Sequence, residues 1–252
     1  AATRLYGSSA RRMLSTPADA VAAWAVRRAD VVRVVGEYTE RLVRSAGFRG
    51  PIERFVAFTD IKEFLTTPTV PAPERPRVLF AGVLEPYKGV DALLDAWRRV
   101  VAERPGAELV IAGDGTHSPE LRAAATDLSA SVRFLGHVGR DTLRALIDGS
   151  SFVVLPSRSE GLGRIVLEAY ARNRAVLGSD VGGIPELVQA GATGALVPPG
   201  DPEALAVAVL RLFADPGRTA EMGEDAGAWI RGQHLEDDFE RGIVRLAERI
   251  AR

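Results

Sequence analysis

Short apolar runs alternate with longer amphipathic segments over most of this chain. Runs of four or five largely apolar residues predict buried strands, and the segments between them repeat apolar residues at helical spacing. Strands separated by helices in this way favour a parallel sheet with helices on both faces, so we predict an α/β fold. The predicted strands are Arg77–Ala81, Glu108–Ala112, Val132–Leu135, Phe152–Leu155, Ala175–Gly178 and Gly194–Val197.

The segments between and after these strands predict helices that end near glycine, proline or a polar residue. They are Val90–Glu103, Pro119–Leu128, Asp141 to about Gly149, about Gly163 to Asn173, a short helix begun by Gly182-Gly183-Ile184-Pro185-Glu186, a helix capped by Asp201 that runs to about Ala214, Thr219–Gly232 and Asp237–Arg252.

The first 65 residues show a weaker pattern of the same kind, which predicts a partial α/β segment. Its elements are a helix over Ala18–Arg28, a strand over Val31–Val35, a helix over Glu37–Ala46 and a weak strand over Glu53–Phe58. Repeated prolines in Thr66–Pro76 disfavour helix and sheet alike and predict a linker. We therefore expect an amino-terminal segment at 1–65, a linker at 66–76, a main domain at 77–234 and a last helix at 235–252.

Composition narrows the class of protein. The chain has 252 residues, of which 46% are hydrophobic and 26% charged, as in ordinary globular proteins. A formal net charge of −1 gives no electrostatic case for nucleic acid or an acidic membrane. The absence of cysteine excludes disulfides, thiolate nucleophiles and zinc–thiolate sites. Basic charge is almost all arginine, with lysine only at Lys62 and Lys88.

The unusual residues of the main domain fall just after its predicted strands. In parallel sheets ligands bind beyond the carboxyl ends of the strands, so this coincidence predicts a binding site. The residues concerned are Gly82, Lys88, the turn at Gly113, Glu160 and the pair Gly182-Gly183.

The segment around Gly161 to Ile165 enters a predicted helix, whose first backbone N–H groups attract phosphate. Lys88 opens another helix and is placed to meet a diphosphate at the strand ends, although by itself it could be a solvated surface lysine. The loop around Lys88 lacks the spacing of a P-loop.

Glu160 and Glu168 flank this helix start and allow two interpretations. They could form the general acid–base pair of a hydrolase, and the sequence does not fix their distance. Alternatively, they could bind hydroxyl groups, because a carboxylate beside a phosphate site suits a sugar. Glu168 lies in an almost wholly apolar helix, where its carboxylate needs a partner, and ribose hydroxyls would serve.

The remaining candidates are ambiguous. His117, His137 and His234 have no metal-ligand spacing and are more typical of solvated or capping residues. The pair Gly182-Gly183 fits either a tight turn or a place where a ligand approaches the backbone.

Together these motifs resemble the carboxyl-terminal half of a GT-B glycosyltransferase of the retaining family 4, also called glycosyl transferases group 1. The resemblance runs from Arg77 to about Arg252 and more weakly back to about Asp30. Its marks are Gly82…Lys88-Gly89, Ala112-Gly113-Asp114-Gly115, Phe134-Leu135-Gly136-His137-Val138, the glutamates 160 and 168, Gly182-Gly183-Ile184-Pro185-Glu186 and Gly194-Ala195-Leu196-Val197-Pro198-Pro199-Gly200-Asp201.

The resemblance implies a Rossmann-like domain that transfers a sugar from a nucleotide-diphosphate-sugar with retention of configuration, without cofactor or metal. Lys88 and Glu160 would be catalytic, the first at the diphosphate and the second at the transferred sugar. Glu168 would bind the ribose and the backbone near Val138 the base. The full set of implied substrate-binding residues is Gly82, Glu160, Gly161, Leu162, Gly163, Arg164, Ile165, Glu168 and Val138.

Two departures from the family qualify this prediction. Val83 stands where the family usually has arginine, and the lost cation would weaken stabilisation of the leaving group. Residues 1–65 resemble only the last part of the family's acceptor-binding domain, with Asp60-Ile61-Lys62-Glu63-Phe64 matching the segment before the crossover. The chain is thus expected to be a donor-binding half, with the last helix crossing back to residues 1–65.

Three functions follow as hypotheses. The first is a retaining hexosyltransferase, or its donor-binding part, that acts on an unknown sugar, lipid or small-molecule acceptor. The second is a non-catalytic nucleotide-sugar-binding subunit that needs a partner chain or an amino-terminal domain, and a homodimer is a further expectation. The third, an epimerase or phosphorylase of the same fold, fits less well. The expected location is the cytoplasm, including the inner face of the membrane.

Overall fold

The computed structural model describes residues 20–55, 60–233 and 235–251. The strands are β1 (Val32–Val34), β2 (Ile52–Arg54), β3 (Arg77–Ala81), β4 (Glu108–Ala112), β5 (Val132–Gly136), β6 (Phe152–Leu155), β7 (Val176–Ser179) and β8 (Gly194–Val197). Helix α1 is described over residues 20–27. The other helices are α2 (Glu37–Ser45), α3 (Lys62–Thr66), α4 (Val90–Glu103), α5 (Ser118–Ala124), α6 (Arg140–Asp148), α7 (Arg164–Ala171), α8 (Ile184–Leu187), α9 (Pro202–Ala214), α10 (Pro216–Arg231) and α11 (Leu235–Ile250), with 3₁₀ turns at Pro86–Lys88 and Thr126–Leu128.

Six parallel strands form the main sheet in the order β5-β4-β3-β6-β7-β8. The chain runs outward from β3 to β5 and then returns to β6 on the other side of β3. Loops after β3 and β6 therefore diverge at a topological switch point, where such sheets leave a crevice for ligands. The predicted α/β fold with a Rossmann-like parallel sheet is confirmed.

Burial on both faces of the sheet explains why its central strands are largely apolar. Every residue of β6 and of β4 is buried, and helices cover both faces. Helix α4 shows how a helix is fixed there, because Leu93, Trp97 and Val100 are fully buried on one side. The indole N–H of Trp97 donates to Ser131 Oγ at 3.2 Å, so the buried ring leaves no polar atom unsatisfied.

The amino-terminal part has its own small sheet, in which β1 and β2 pair in parallel. The predicted helix Ala18–Arg28 begins outside the described residues, as does the end of the predicted strand Glu53–Phe58. Helix α11 packs on β2, where the buried Glu53 accepts a hydrogen bond from Arg249 at 2.6 Å. The last helix therefore contacts the amino-terminal part, while the predicted division into domains stays a prediction.

The predicted linker Thr66–Pro76 is free of helix and strand after its first residue, which ends α3. Two buried arginines on the main domain hold it in place. The guanidinium group of Arg172 is fully buried and forms an ion pair with Asp148 at 2.8 Å. Arg172 donates to the carbonyl groups of Phe64, Thr67 and Pro68, and Arg174 donates to those of Val70 and Pro71.

Several predicted helix boundaries differ from the structure, three of them for local reasons. The segment 119–128 divides into α5 and a 3₁₀ turn. Helix α7 ends at Ala171, and Asn173 then adopts a left-handed backbone with φ 54°. Helix α10 starts at Pro216 rather than Thr219, because the side chain of Asp215 caps it by accepting a hydrogen bond from the Arg218 N–H. Among the described helices none is long and apolar enough to cross a membrane.

Candidate functional site

A cleft of about 670 Å³ opens beyond the carboxyl ends of β3, β4, β5 and β6. Its lining includes all the catalytic and substrate-binding residues that the resemblance implies except Gly161, so the structure brings Lys88, Glu160 and Glu168 together. The lining residues are Ala81, Gly82, Val83, Lys88, Ala112, Gly113, Asp114, His137, Val138, Leu143, Glu160, Leu162, Gly163, Arg164, Ile165 and Glu168.

Lys88 and Glu160 form an ion pair inside this cleft. Lys88 Nζ lies 2.6 Å from Glu160 Oε2, and each side chain is only 13% exposed. Such a short charge-assisted hydrogen bond fixes both groups. Lys88 is therefore not the solvated surface lysine of the alternative interpretation.

Arg158 joins the two loops that carry this pair. Its backbone N–H donates to the Tyr87 carbonyl at 2.7 Å, and its guanidinium group donates to the carbonyl of Pro86 at 2.8 Å. The same guanidinium binds both carboxylate oxygens of Asp91, at 2.6 and 2.8 Å. Burial alone would raise the pKa of Asp91, but the hydrogen bonds and charge of Arg158 outweigh it and lower that pKa. The Lys88 loop is thus held at a fixed position against the Glu160 loop.

Glu168 lies deeper, in the second turn of α7, with a side chain that is 11% exposed. Its nearest cation is Arg164, whose Nη2 is 3.9 Å from Glu168 Oε1, at the long end of ion-pair distances. Burial raises the pKa of Glu168, and the charges of Arg164 and Arg140 offset that rise only in part. A buried carboxylate whose nearest cation is this far away retains acceptor capacity for ligand hydroxyl groups.

Helix α7 presents its amino terminus to the cleft. Gly163 precedes its first residue in a left-handed conformation, with φ 73°, and both Gly163 and Ile165 line the cleft. The first N–H groups of a helix have no acceptor within it and carry the positive end of its dipole. This end of α7 can therefore bind an anionic group, as the sequence predicts.

The glycine pair Gly182-Gly183 lies behind the Glu160 loop rather than in the cleft lining. A Cβ at Gly182 would collide with the carbonyl oxygen of Glu160, and one at Gly183 with that of Gly161. The Gly183 N–H donates to the Glu160 carbonyl at 3.1 Å. The close neighbour of this pair is thus protein backbone, which favours the tight-turn interpretation.

The far side of the cleft is formed by Val138, where the base was expected, together with residues that the sequence reasoning missed. Leu143 comes from α6, and no sequence signal distinguishes it from an ordinary core residue. Asp114 follows β4 in the Gly-Asp-Gly turn, and the sequence does predict that this turn lies at the binding site. Gly113 is required there because it has φ 132° and its Cβ would collide with the Gly82 carbonyl. His137 is exposed and also lines the cleft.

Comparison with known proteins places this geometry in context. The family model of glycosyl transferases group 1 matches residues 75–215, which is more than half of the chain. The chain is 32% identical over 222 residues to a GDP-mannose-dependent monoacylated alpha-(1-6)-phosphatidylinositol monomannoside mannosyltransferase of Corynebacterium glutamicum, covering 81% of this chain and 58% of that protein. It is 35% identical over 155 residues to the alpha-D-kanosaminyltransferase of Streptomyces kanamyceticus, covering 61% of this chain and 40% of that protein.

Solved structures show the same fold at lower identity. Sucrose-phosphate synthase from Thermosynechococcus elongatus superposes with a TM-score of 0.80 at 24% identity, covering 98% of this chain and 63% of that one. Anabaena HepE in complex with UDP-glucose gives a TM-score of 0.80 at 23% identity, covering 91% and 67%. The chain thus spans about half the length of the curated relatives and two thirds of these structures.

Proposed function

The chain belongs to the glycosyl transferases group 1 family, and on that premise we propose that its cleft binds a nucleotide-diphosphate-sugar as glycosyl donor. We propose further that the sugar is a hexose, transferred with retention of configuration and without a cofactor or metal. The observation that carries the proposal is the meeting of Lys88, Glu160, Glu168 and the amino terminus of α7 in one cleft.

Each part of a donor finds a matching group. The diphosphate lies between the Lys88 ammonium and the N–H groups of α7, where opposite charge and free donors meet. Glu168 accepts hydrogen bonds from the ribose, and Glu160 from the hydroxyl groups of the sugar. The base lies near Val138 and Leu143. The names of two relatives support a sugar nucleotide, since one is GDP-mannose-dependent and another was crystallised with UDP-glucose.

In the proposed reaction the bond between the anomeric carbon and the diphosphate oxygen breaks, and its electron pair stays on the diphosphate. An acceptor hydroxyl forms the new bond on the same face and gives its proton to the departing diphosphate. Negative charge grows on the diphosphate in the transition state, where Lys88 and the α7 dipole stabilise it most. Glu160 orients the transferred sugar by accepting hydrogen bonds from its hydroxyl groups.

A second candidate function is a non-catalytic nucleotide-sugar-binding module. Val83 favours it, because this side chain lines the cleft and is 48% exposed but carries no charge for the leaving group. Release of free sugar or transfer to an acceptor by this chain alone would exclude the binding-only function. Incubation with GDP-mannose and with UDP-glucose, followed by analysis of nucleoside diphosphate release, makes that distinction.

Calorimetric titration with UDP, GDP and ADP tests the proposal directly. We expect the wild-type chain to bind at least one of the three. Glu168→Ala should lower the affinities for that nucleotide and for its nucleoside by a similar factor, since both contain the ribose. Glu224→Ala is the matched control, because Glu224 is an exposed glutamate of α10 outside the cleft. Absence of binding to all three nucleotides, or equal affinity of wild type and Glu168→Ala, would overturn the proposal.

A further inference from the structure

The cleft contains more negative than positive side chains. Its carboxylates are those of Asp114, Glu160 and Glu168, and the lysine and arginine side chains that line it within the described residues are Lys88 and Arg164. A diphosphate brings at least two further negative charges into the same space. Its binding therefore depends on cations that are released from the carboxylates they now hold.

The arginines near the cleft differ in how firmly they are held. Arg158 binds both oxygens of Asp91, as described above. Arg140 donates to the Asp60 carbonyl at 2.6 Å and stacks on Phe64, with 5.4 Å from its guanidinium carbon to the ring centre. Both contacts fix these side chains to neighbouring elements.

Arg164 is the exception. Its side chain is 58% exposed, and the polar contact that the structure records for it is the 3.9 Å approach to Glu168. At 3.9 Å, and with the Arg164 side chain largely in solvent, this pair of residues four apart on one helix is weak. Arg164 is also the first residue of α7, so its side chain starts beside the N–H groups proposed to hold the diphosphate.

We propose that the side chain of Arg164 is a second cationic ligand of the diphosphate, which it binds by leaving Glu168 when the ribose arrives. This inference rests on the proposed function. Both ion pairs of the cleft are then exchanged together: Lys88 and Arg164 turn to the diphosphate, and Glu160 and Glu168 accept from sugar and ribose hydroxyls. No carboxylate is left buried without a donor, and no phosphate charge is left without a cation.

The exchange also explains how the cleft can bind a diphosphate although Val83, which lines it, carries no charge. A guanidinium group binds phosphate through two parallel N–H donors, which a lysine cannot do. Arg164 supplies that fork from the first residue of α7, a different element from the loop of Lys88 and Val83. The diphosphate is thus held by cations from two elements although only one cation comes from the loop after β3.

The test compares ligands with and without phosphates. Calorimetry measures the affinities of UDP and uridine, and of GDP and guanosine, for wild type, Arg164→Met, Arg164→Lys and Arg104→Met. Arg104 is an exposed arginine at the far end of α4 and serves as the control. We expect Arg164→Met to lower the affinity for the nucleoside diphosphate roughly tenfold to a hundredfold, which is the effect of losing a charge-assisted hydrogen bond. The nucleoside should bind to Arg164→Met at least as tightly as to wild type. Arg164→Lys should recover part of the loss, and Arg104→Met should change nothing.

The salt dependence supplies a second readout. Loss of one phosphate contact should make the affinity for the diphosphate fall less steeply with salt in Arg164→Met than in wild type. Equal weakening of nucleoside and diphosphate would overturn the inference, because Arg164 would then act through Glu168. Unchanged affinity for the diphosphate would overturn it as well. Failure of the proposed function looks different, since the wild-type chain would then bind none of these ligands.

Discussion

Replacing Lys88 by methionine removes the ammonium group but keeps a side chain of similar length. In wild type this ammonium lies 2.6 Å from Glu160, and both groups are largely shielded from water. A hydrogen bond between charged groups contributes about 1.5–3 kcal/mol net. If the diphosphate takes over that bond, Lys88→Met should weaken its binding by about 10- to 150-fold, at 1.4 kcal/mol per tenfold.

The substitution has a second effect, because it leaves the Glu160 carboxylate without its cation beside the phosphates. Their repulsion should move the loss toward the upper end of that range. The double variant Lys88→Met/Glu160→Gln lacks the repulsion, so it should bind the diphosphate more tightly than Lys88→Met alone, by about threefold or more. The free nucleoside carries no phosphate, and its affinity should be the same in all three proteins.

Calorimetric titration with UDP, GDP and their nucleosides measures these differences. Lys62→Met is the natural control, since Lys62 is the other lysine of the chain and is an exposed residue of α3. If Lys88→Met weakens the binding of nucleoside and diphosphate alike, the ammonium group does not act on the phosphates. If the double variant binds the diphosphate no better than Lys88→Met, the Glu160 carboxylate does not repel it.

Three further predictions concern stability and its link to the site. Burial raises the pKa of Glu168, so the fold loses stability as pH rises from the pKa of this group in the unfolded chain to its pKa in the folded protein. Glu168→Gln should therefore raise Tm at pH 7 in calorimetry, whereas Glu224→Gln should not. Arg172→Met leaves the Asp148 carboxylate and three carbonyl groups without their donor, so it should lower the free energy of unfolding in urea by about 3–5 kcal/mol. A loss below about 1 kcal/mol would show that Arg172 does not hold the linker in place. Gly182→Ala should lower Tm and weaken nucleotide-sugar binding, because its Cβ meets the backbone behind the cleft; Gly191→Ala, which shares a left-handed φ but has open space, should lower Tm less and spare binding.

The strands were the most predictable part of the fold. Arg77–Ala81, Glu108–Ala112, Phe152–Leu155 and Gly194–Val197 have the bounds expected from sequence. Their apolar runs are buried on both faces, and glycine, proline or charged residues lie close to most of their ends, so local signals and tertiary structure agree. Helix α3 was missed because its five residues are too few for an apolar period. It is stabilised from outside, through the burial of Phe64 and the hydrogen bond from Arg172 to the Phe64 carbonyl.

The site was predictable in its position and less so in its contacts. Lys88 and Glu160 stand out because each follows a buried strand, and parallel strands bring their carboxyl ends to one edge. Their mutual ion pair was not foreseen, since 72 residues separate them. The pair depends on how two loops are oriented, and Arg158 sets that orientation through contacts with Asp91 and Pro86 that leave no local pattern in the sequence.

The turn at Gly182-Gly183 connects the cleft to the amino-terminal part of the chain. On one side it supports the backbone of Glu160, and on the other it begins α8, which carries Glu186. The Glu186 carboxylate accepts hydrogen bonds from the first N–H groups of α2, at 2.8 Å from Glu37 and 2.5 Å from Tyr38. A carboxylate at that end of a helix satisfies its free donors and suits its dipole. One turn, Gly182-Gly183, therefore fixes both Glu160, the acid proposed to bind the transferred sugar, and the start of α2. Only glycine permits the close packing at this turn. The structure therefore needs Gly182-Gly183 to set the position of the Glu160 loop relative to α2, and not to contact the donor.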